Sequence, residues 1–200
     1  MRQGTVIFLN GTSSAGKTSI SQALLQTCEE DFMYVSVDHA IAGVNEMLLR
    51  MYGEHVSVDE IRSIENDETI EPPVISLFHH TIKAFSMLGK NVIVDHVLVE
   101  SGWAAECAQL LHETPAFLIG VRCPLDEMER RERDRGDRPV GLARAQWDIV
   151  HQHRTYDLEV NTHTNSIHAC AKLITEYVRQ HQPVAFKELY AAALAHKKIL

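Results

Sequence analysis

The sequence predicts an α/β domain in which a five-stranded parallel sheet is flanked by helices. Three observations lead there. Short β-branched runs alternate with longer helical stretches along the chain, the pattern of a parallel sheet with crossover helices. Runs such as Val92-Ile93-Val94 and Phe117-Leu118-Ile119 are apolar at every position, as strands covered on both faces must be. A glycine-containing turn, Gly11 to Gly16, separates the first strand-like run from the first helix-like run.

Taken in order, the strands are expected at Thr5 to Asn10, Met33 to Val37, Asn91 to Val94, Ala116 to Arg122 and Asp157 to Val160. Helical spacing of apolar residues marks Lys17 to Cys28, Val74 to Leu88, Trp103 to Leu111, Leu125 to Arg135, Ala143 to Gln152 and Ser166 to Gln180. Two stretches break the alternation: His39 to Pro73, with a helical piece at Val44 to Met51 and an acidic, turn-rich part at Asp59 to Glu71, and the charge-dense Glu129 to Arg144. After Pro183, Phe186 to Leu200 reads as an added helix. The expected organisation is one domain over residues 1–182 and a helical extension over 183–200.

A chain of 200 residues with 45% apolar composition can bury one core. Its formal net charge of -8 gives no general attraction to phosphate backbones or anionic lipid, so nucleic acid is not the expected partner. The apolar stretch Thr5 to Leu9 is too short to span a bilayer, and no membrane partner is expected. Cys28, Cys107, Cys123 and Cys170 are widely spaced with no CxxC pair, which fits thiols in a reducing compartment; cytoplasm is the expected location. The 12 histidines invite a metal-site reading, but His79-His80, His151-x-His153 and His163 lack the spacing of zinc ligands.

Gly11-Thr12-Ser13-Ser14-Ala15-Gly16-Lys17-Thr18 matches GxxxxGK[ST] in full, with a strand before it and a helix after it. This is the phosphate loop called Walker A. Gly11 and Gly16 allow backbone conformations and close approaches that a Cβ would obstruct, so successive amides can converge on phosphate oxygens. The helix entered through Lys17, Thr18 and Ser19 presents its positive end to the same anion. Lys17 is expected to bridge the β- and γ-phosphates, and the Thr18 hydroxyl to coordinate Mg²⁺. With no NKxD sequence after a later strand to read guanine, ATP is the expected nucleotide.

Two carboxylates fall at strand ends, the edge where open α/β sheets bind ligands. Asp38 could accept the proton of an attacking hydroxyl, hold Mg²⁺ through water, or cap the next helix. Asp95 closes Asn91-Val92-Ile93-Val94 in the manner of a Walker B acid near bound metal. His96 reads as a neighbour of the site. Further on, Glu129 to Pro139 interleaves both charge signs. Arg131 and Arg135, four apart, share a helix face that can clamp phosphates, while Gly136 and Pro139 would let the segment near 129–144 act as a lid.

Together these residues resemble the chloramphenicol phosphotransferase-like family of P-loop kinases, whose members share a nucleoside-monophosphate-kinase-like core. The matching pieces are Leu9-Asn10-Gly11 with Ser13 to Lys17, Val37-Asp38, the strand into Asp95, Val121-Arg122-Cys123, Arg135-Gly136-Asp137-Arg138, Gln146 with Val150-His151, and Tyr156 to Val160 followed by Asn161-Thr162. They span about residues 5–180; the match is loosest over His39 to Leu88, which would line the acceptor pocket. The resemblance implies a P-loop NTPase fold, Asp38 as general base, and Arg135 with its neighbours Arg131 and Arg138 in a lid over ATP. The expected activity is ATP- and Mg²⁺-dependent phosphoryl transfer to a hydroxyl of a small molecule. A kinase of nucleotide or polynucleotide 5'-hydroxyls and a nucleotide-binding module without chemistry are the alternatives.

Overall fold

The computed structural model describes residues 2–52, 71–135, 141–153 and 155–197. Five parallel strands form one sheet: β1 (Val6–Asn10), β2 (Phe32–Ser36), β3 (Asn91–His96), β4 (Ala116–Arg122) and β5 (Leu158–Asn161). Their spatial order is β2-β3-β1-β4-β5, which puts β1 at the centre. Val6 faces Val92 on one side and Ala116 on the other, and all five β1 residues are buried. Each strand begins within one residue of its expected start.

The helices are α1 (Lys17–Thr27), α2 (Val37–Tyr52), α3 (Glu71–Met87), α4 (Ser101–Leu111), α5 (Leu125–Arg135), α6 (Leu142–Trp147), α7 (Ile167–Gln180) and α8 (Ala185–Lys197). They cover both faces of the sheet. Alternate residues of β1 enter different cores: Ile7 and Leu9 pack with Ile20, Leu24 and Ile174 of α1 and α7, while Val6 and Phe8 pack with Ile75, Phe78 and Ile82 of α3. That period of two is what a strand buried on both faces requires.

Three helices depart furthest from their expected bounds. α3 starts at Glu71, taking Pro72-Pro73 into its first turn, where a missing N–H costs nothing. α2 begins directly after β2, at Val37, which was expected to close the strand, and so starts well before the expected piece at Val44 to Met51. α6 stops at Trp147, short of Gln152, and the Val150 carbonyl, instead of feeding a longer helix, accepts a hydrogen bond from Asn10 Nδ2 at 2.9 Å. The last helix, α8, contributes Phe186, 2% exposed, to the second core, edge-on to Phe8 with ring centroids 5.6 Å apart. Its start is held by Asp157, whose carboxylate accepts N–H bonds from Leu118 (2.8 Å), Val184 (2.7 Å) and Ala185 (3.1 Å). The acidic stretch at residues 59–70 and the lid tip at 136–140 lie outside the described residues.

Candidate active site

The phosphate loop leaves the carboxyl end of β1 and is braced along its leading arm. A Cβ on Gly11 would lie 2.6 Å from the Val121 carbonyl oxygen, so only glycine fits there. Thr12 Oγ1 donates to Met128 Sδ at 2.6 Å, and Ser13 N–H donates to Gln146 Oε1 at 2.7 Å. Ser14 has φ 61°, the one positive φ of a non-glycine among the described residues, and Gly16 has φ 97°. These left-handed residues coil the loop, the backbone geometry from which anion nests are built; within it the Ser13 amide is committed to Gln146 and the Ala15 amide to the Thr12 carbonyl at 3.3 Å. Gly16 is the N-cap residue of α1 and makes no side-chain hydrogen bond there; a helix start of this kind can accept an anion.

Beyond the loop, the polar groups converge on Asp95. The Thr18 hydroxyl donates to Asp95 Oδ2 at 2.8 Å, Tyr34 OH donates to the same oxygen at 3.3 Å, and Lys17 Nζ lies 3.7 Å from Oδ1. Lys17 Nζ also donates to the Thr12 carbonyl at 2.9 Å, which parks the ammonium across the mouth of the loop. Burial first, and then the Asp95 charge, push the Tyr34 phenol up, so it stays a donor. The Thr18 hydroxyl and Asp95 carboxylate are hard oxygen donors side by side at a phosphate loop, a donor set suited to Mg²⁺.

Asp38 lies in the first turn of α2, exposed at the same cleft. It does not cap the helix: Ser36 Oγ accepts the His39 N–H at 3.2 Å, which makes Ser36 the cap and removes that alternative for Asp38. The cleft has a volume of about 450 Å³ and is lined by Lys17, Asp38, Asp95, Val97, Thr162 and Ile167 among others.

Of the predicted clamp, Arg131 and Arg135 both line this cleft. Arg131 is heavily engaged: it donates to Glu127 Oε1 at 2.8 Å, Thr162 Oγ1 at 3.0 Å and the Thr162 carbonyl at 3.1 Å, and reaches the Ser14 carbonyl at 3.5 Å. It therefore bolts α5 to the phosphate loop and to the end of β5. Hydrogen bonds from Arg130 and Arg131 hold the Glu127 carboxyl down to about 2. Arg138 lies outside the described residues.

Sequence reasoning missed four supports. Glu132, 1% exposed, accepts the Gly141 and Ala143 amides at 2.7 and 3.0 Å and so anchors the start of α6. Asn10, immediately before the loop, is buried with several polar partners. Tyr34 reaches Asp95 from the neighbouring strand. On the opposite face of β3 from Asp95, His96 joins His79 and Glu106 in a chain whose direction its ends decide. Val97 N–H donates to His96 Nδ1 at 2.7 Å, which puts the His96 proton on Nε2. That proton goes to His79 Nε2 at 2.8 Å, and His79 Nδ1 in turn donates to Glu106 at 2.5 Å. Both imidazoles are therefore neutral, although the His79–Glu106 contact has the geometry of an ion pair; burial pushes both rings below their usual value.

The profile of the chloramphenicol phosphotransferase-like protein family matches residues 4–179. A Mycobacterium tuberculosis (strain H37Rv) protein named "Putative O-phosphotransferase" is 31% identical over 200 residues, covering 94% of this chain and 89% of its own. Among solved structures, the M. tuberculosis APS kinase in complex with AMPPNP and APS superposes with TM-score 0.64 at 17% identity, covering 90% of this chain and 100% of that one. Shikimate kinase from Acinetobacter baumannii, in complex with shikimate, gives TM-score 0.57 at 13% identity, covering 88% and 94%. At these identities the two kinases speak for the shared fold, a P-loop kinase sheet, whereas the family match spans the loop, both strand-end carboxylates and α5. The chain belongs to the chloramphenicol phosphotransferase-like family.

Proposed function

We propose that the protein is an ATP-dependent phosphotransferase that moves the γ-phosphoryl group onto a hydroxyl of a small molecule. The observation that carries this reading is the convergence of Lys17, Thr18 and Asp95 within 2.8–3.7 Å at the mouth of the phosphate loop, with Asp38 on the same cleft. Thr18 and Asp95 would hold Mg²⁺, which supplies charge neutralisation for the triphosphate when bound. With the cation there, the phosphates nearest the loop would lie beside Asp95, on the cleft that Asp38 also lines.

In this arrangement the loop amides and the α1 amino end bind the phosphates. Lys17 exchanges its Thr12 carbonyl partner for phosphate oxygens and follows negative charge as it moves to the leaving group. Asp38 lines the same cleft, where its carboxylate accepts the proton of the incoming hydroxyl. Arg135 adds positive charge from α5. Positioning and charge compensation carry the reaction, with no covalent protein intermediate. The family name and the relative's name both describe phosphotransfer, and the four free thiols suit a reducing cytoplasm.

The test is a metabolite-extract screen with isotopically labelled ATP, read by mass spectrometry. A hydroxyl compound gaining label in the presence of wild-type protein, and none with Lys17→Ala, is the expected result. ATP bound tightly with no labelled product across the extract would make the protein a nucleotide-binding module.

A further inference from the structure

Asn10 is the last residue of β1 and the one before Gly11. Its side chain is 0% exposed, and each of its polar atoms is committed to a different piece of the chain. Oδ1 accepts the Leu98 N–H at 2.8 Å, on the segment that leaves β3 just beyond Asp95. Nδ2 donates to the Val150 carbonyl at 2.9 Å and to Tyr156 OH at 2.8 Å, with His153 Nε2 at 3.2 Å. The partners fix the amide's orientation, because the Leu98 amide can only donate and the Val150 carbonyl can only accept. Tyr156 OH, having accepted from Asn10, donates to His151 Nδ1 at 2.5 Å.

The ladder between β1 and β3 ends at Asn10 opposite His96. Past that point the two chains part, one into the phosphate loop that leads to Thr18, the other into Val97 and Leu98. The Asn10–Leu98 bond ties them together beyond the ladder. It sets how far the loop stands from the strand that carries Asp95.

We propose that Asn10 is a positioning residue that fixes the phosphate loop against the Asp95 strand, so that a nucleoside phosphate and its divalent cation bind as one unit. The inference rests on the phosphotransferase reading only in giving the cation to Thr18 and Asp95. Removing the Asn10 amide strands two buried backbone groups, the Leu98 N–H and the Val150 carbonyl, and each must shift to find a partner. A shift there moves Asp95 relative to Thr18. Mg²⁺ tolerates little departure from octahedral geometry, whereas a nest of several amides tolerates a small displacement of phosphate. The loss therefore falls on the metal-dependent share of nucleotide affinity.

The experiment is calorimetric titration of ADP into wild type, Asn10→Ala, Tyr156→Phe and Thr18→Ala, each with Mg²⁺ and again with EDTA. For Asn10→Ala we expect the ratio of the two affinities to fall about tenfold, the low end for residues that support a metal ligand, with the EDTA affinity held within about threefold. Tyr156→Phe leaves the Leu98 bond in place and should keep the wild-type ratio. Equal losses with and without Mg²⁺ in Asn10→Ala, or an unchanged ratio, overturn the proposal. Thr18→Ala separates the two readings: if it too keeps the wild-type ratio, the metal assignment and the functional reading fall with it, and if it alone loses the ratio, only the role of Asn10 falls. Should Asn10→Ala not fold, hydrogen exchange on the wild type decides. The Leu98 amide must then be protected as strongly as the β1–β3 ladder, and exchange at the rate of an open loop sinks the idea.

Discussion

Lys17 and Asp38 sit on one cleft but are held in contrasting ways. Lys17 is 7% exposed, with its ammonium against the Thr12 carbonyl and Asp95, whereas Asp38 is exposed at the first turn of α2. Lys17→Ala should lower phosphotransfer by more than about a hundredfold, since charge that counters the migrating negative charge is lost from a water-poor site. Nucleotide should still bind through the loop amides; steady-state turnover beside a nucleotide titration checks both. Asp38→Asn should lower turnover by about 10²-fold while ATP affinity holds within a few-fold, the pattern of a lost general base. Because Ser36 caps α2, unchanged turnover in that variant could not be ascribed to Asn capping as well as Asp. Loss of affinity and turnover together, part-restored by extra Mg²⁺, would instead assign Asp38 to the metal. The residues of the loop were legible in the sequence because their chemistry is contiguous, eight positions with their flanks. Asp95 was legible as the end of an apolar run. Glu132, Tyr34 and Asn10 were not, because each is defined by a partner far along the chain, as Asn10 is by Leu98 at a separation of 88 residues.

Among the elements, α5 and α6 form the mount of the phosphate end. Adjacent residues of α5 pull in different directions: Arg131 onto Ser14 and Thr162, Glu132 onto the amides of Gly141 and Ala143. Gln146 then returns from α6 to Ser13. Glu132→Ala should cost about 2 kcal/mol in urea unfolding, because two amides at a buried position lose their acceptors. Glu132→Gln, which keeps one acceptor oxygen, should cost less. An equal cost for the two would show that the carboxylate's hydrogen bonds are not what holds α6. The charge run was readable as a helix that brings Arg131 and Arg135 to one face, both of which line the cleft, and α5 has the expected bounds. That its acidic residues would include a buried anchor was not readable, since charge runs are solvated as a rule.

At the scale of the whole molecule, the histidine content acquires a meaning that composition alone withheld. Burial lowers His79, His96, His151 and His153, with His151 brought to about 4. The folded protein keeps these rings neutral where the unfolded chain, near the usual 6.5, takes up protons. With the folded values depressed, the stability they contribute is present above about pH 6.5 and is lost as pH falls toward the folded values. Each such ring adds about 1.4 kcal/mol per pH unit to the slope in that window. Unfolding near pH 5.5 should therefore be accompanied by proton uptake, and urea midpoints should fall steadily from pH 7 to pH 5. Midpoints flat over that range would refute the neutral assignment. For Glu106, burial alone would raise the carboxyl, but the Ser76 and His79 hydrogen bonds outweigh it and pull it down. Fold class was legible because it depends on periodicity along the chain, and all five strands stand where their apolar runs are. Strand order was not, since it depends on which runs meet.

That order has a consequence for synthesis. The strand at the centre of the sheet precedes the other four along the chain, yet Val6 pairs with Val92 and Ala116, and Phe8 meets Phe186 only once α8 has been made. A growing chain thus carries this apolar strand unpaired until β3, at Asn91–His96, has been made, and the phosphate loop lacks its neighbouring strands until β3 and β4 arrive. Non-local pairing of this kind folds slowly and leaves sticky intermediates exposed. The nascent protein should accordingly depend on chaperones that shield the apolar β1 segment, and a copy stalled before residue 186 should be a substrate for proteolysis rather than a partial enzyme.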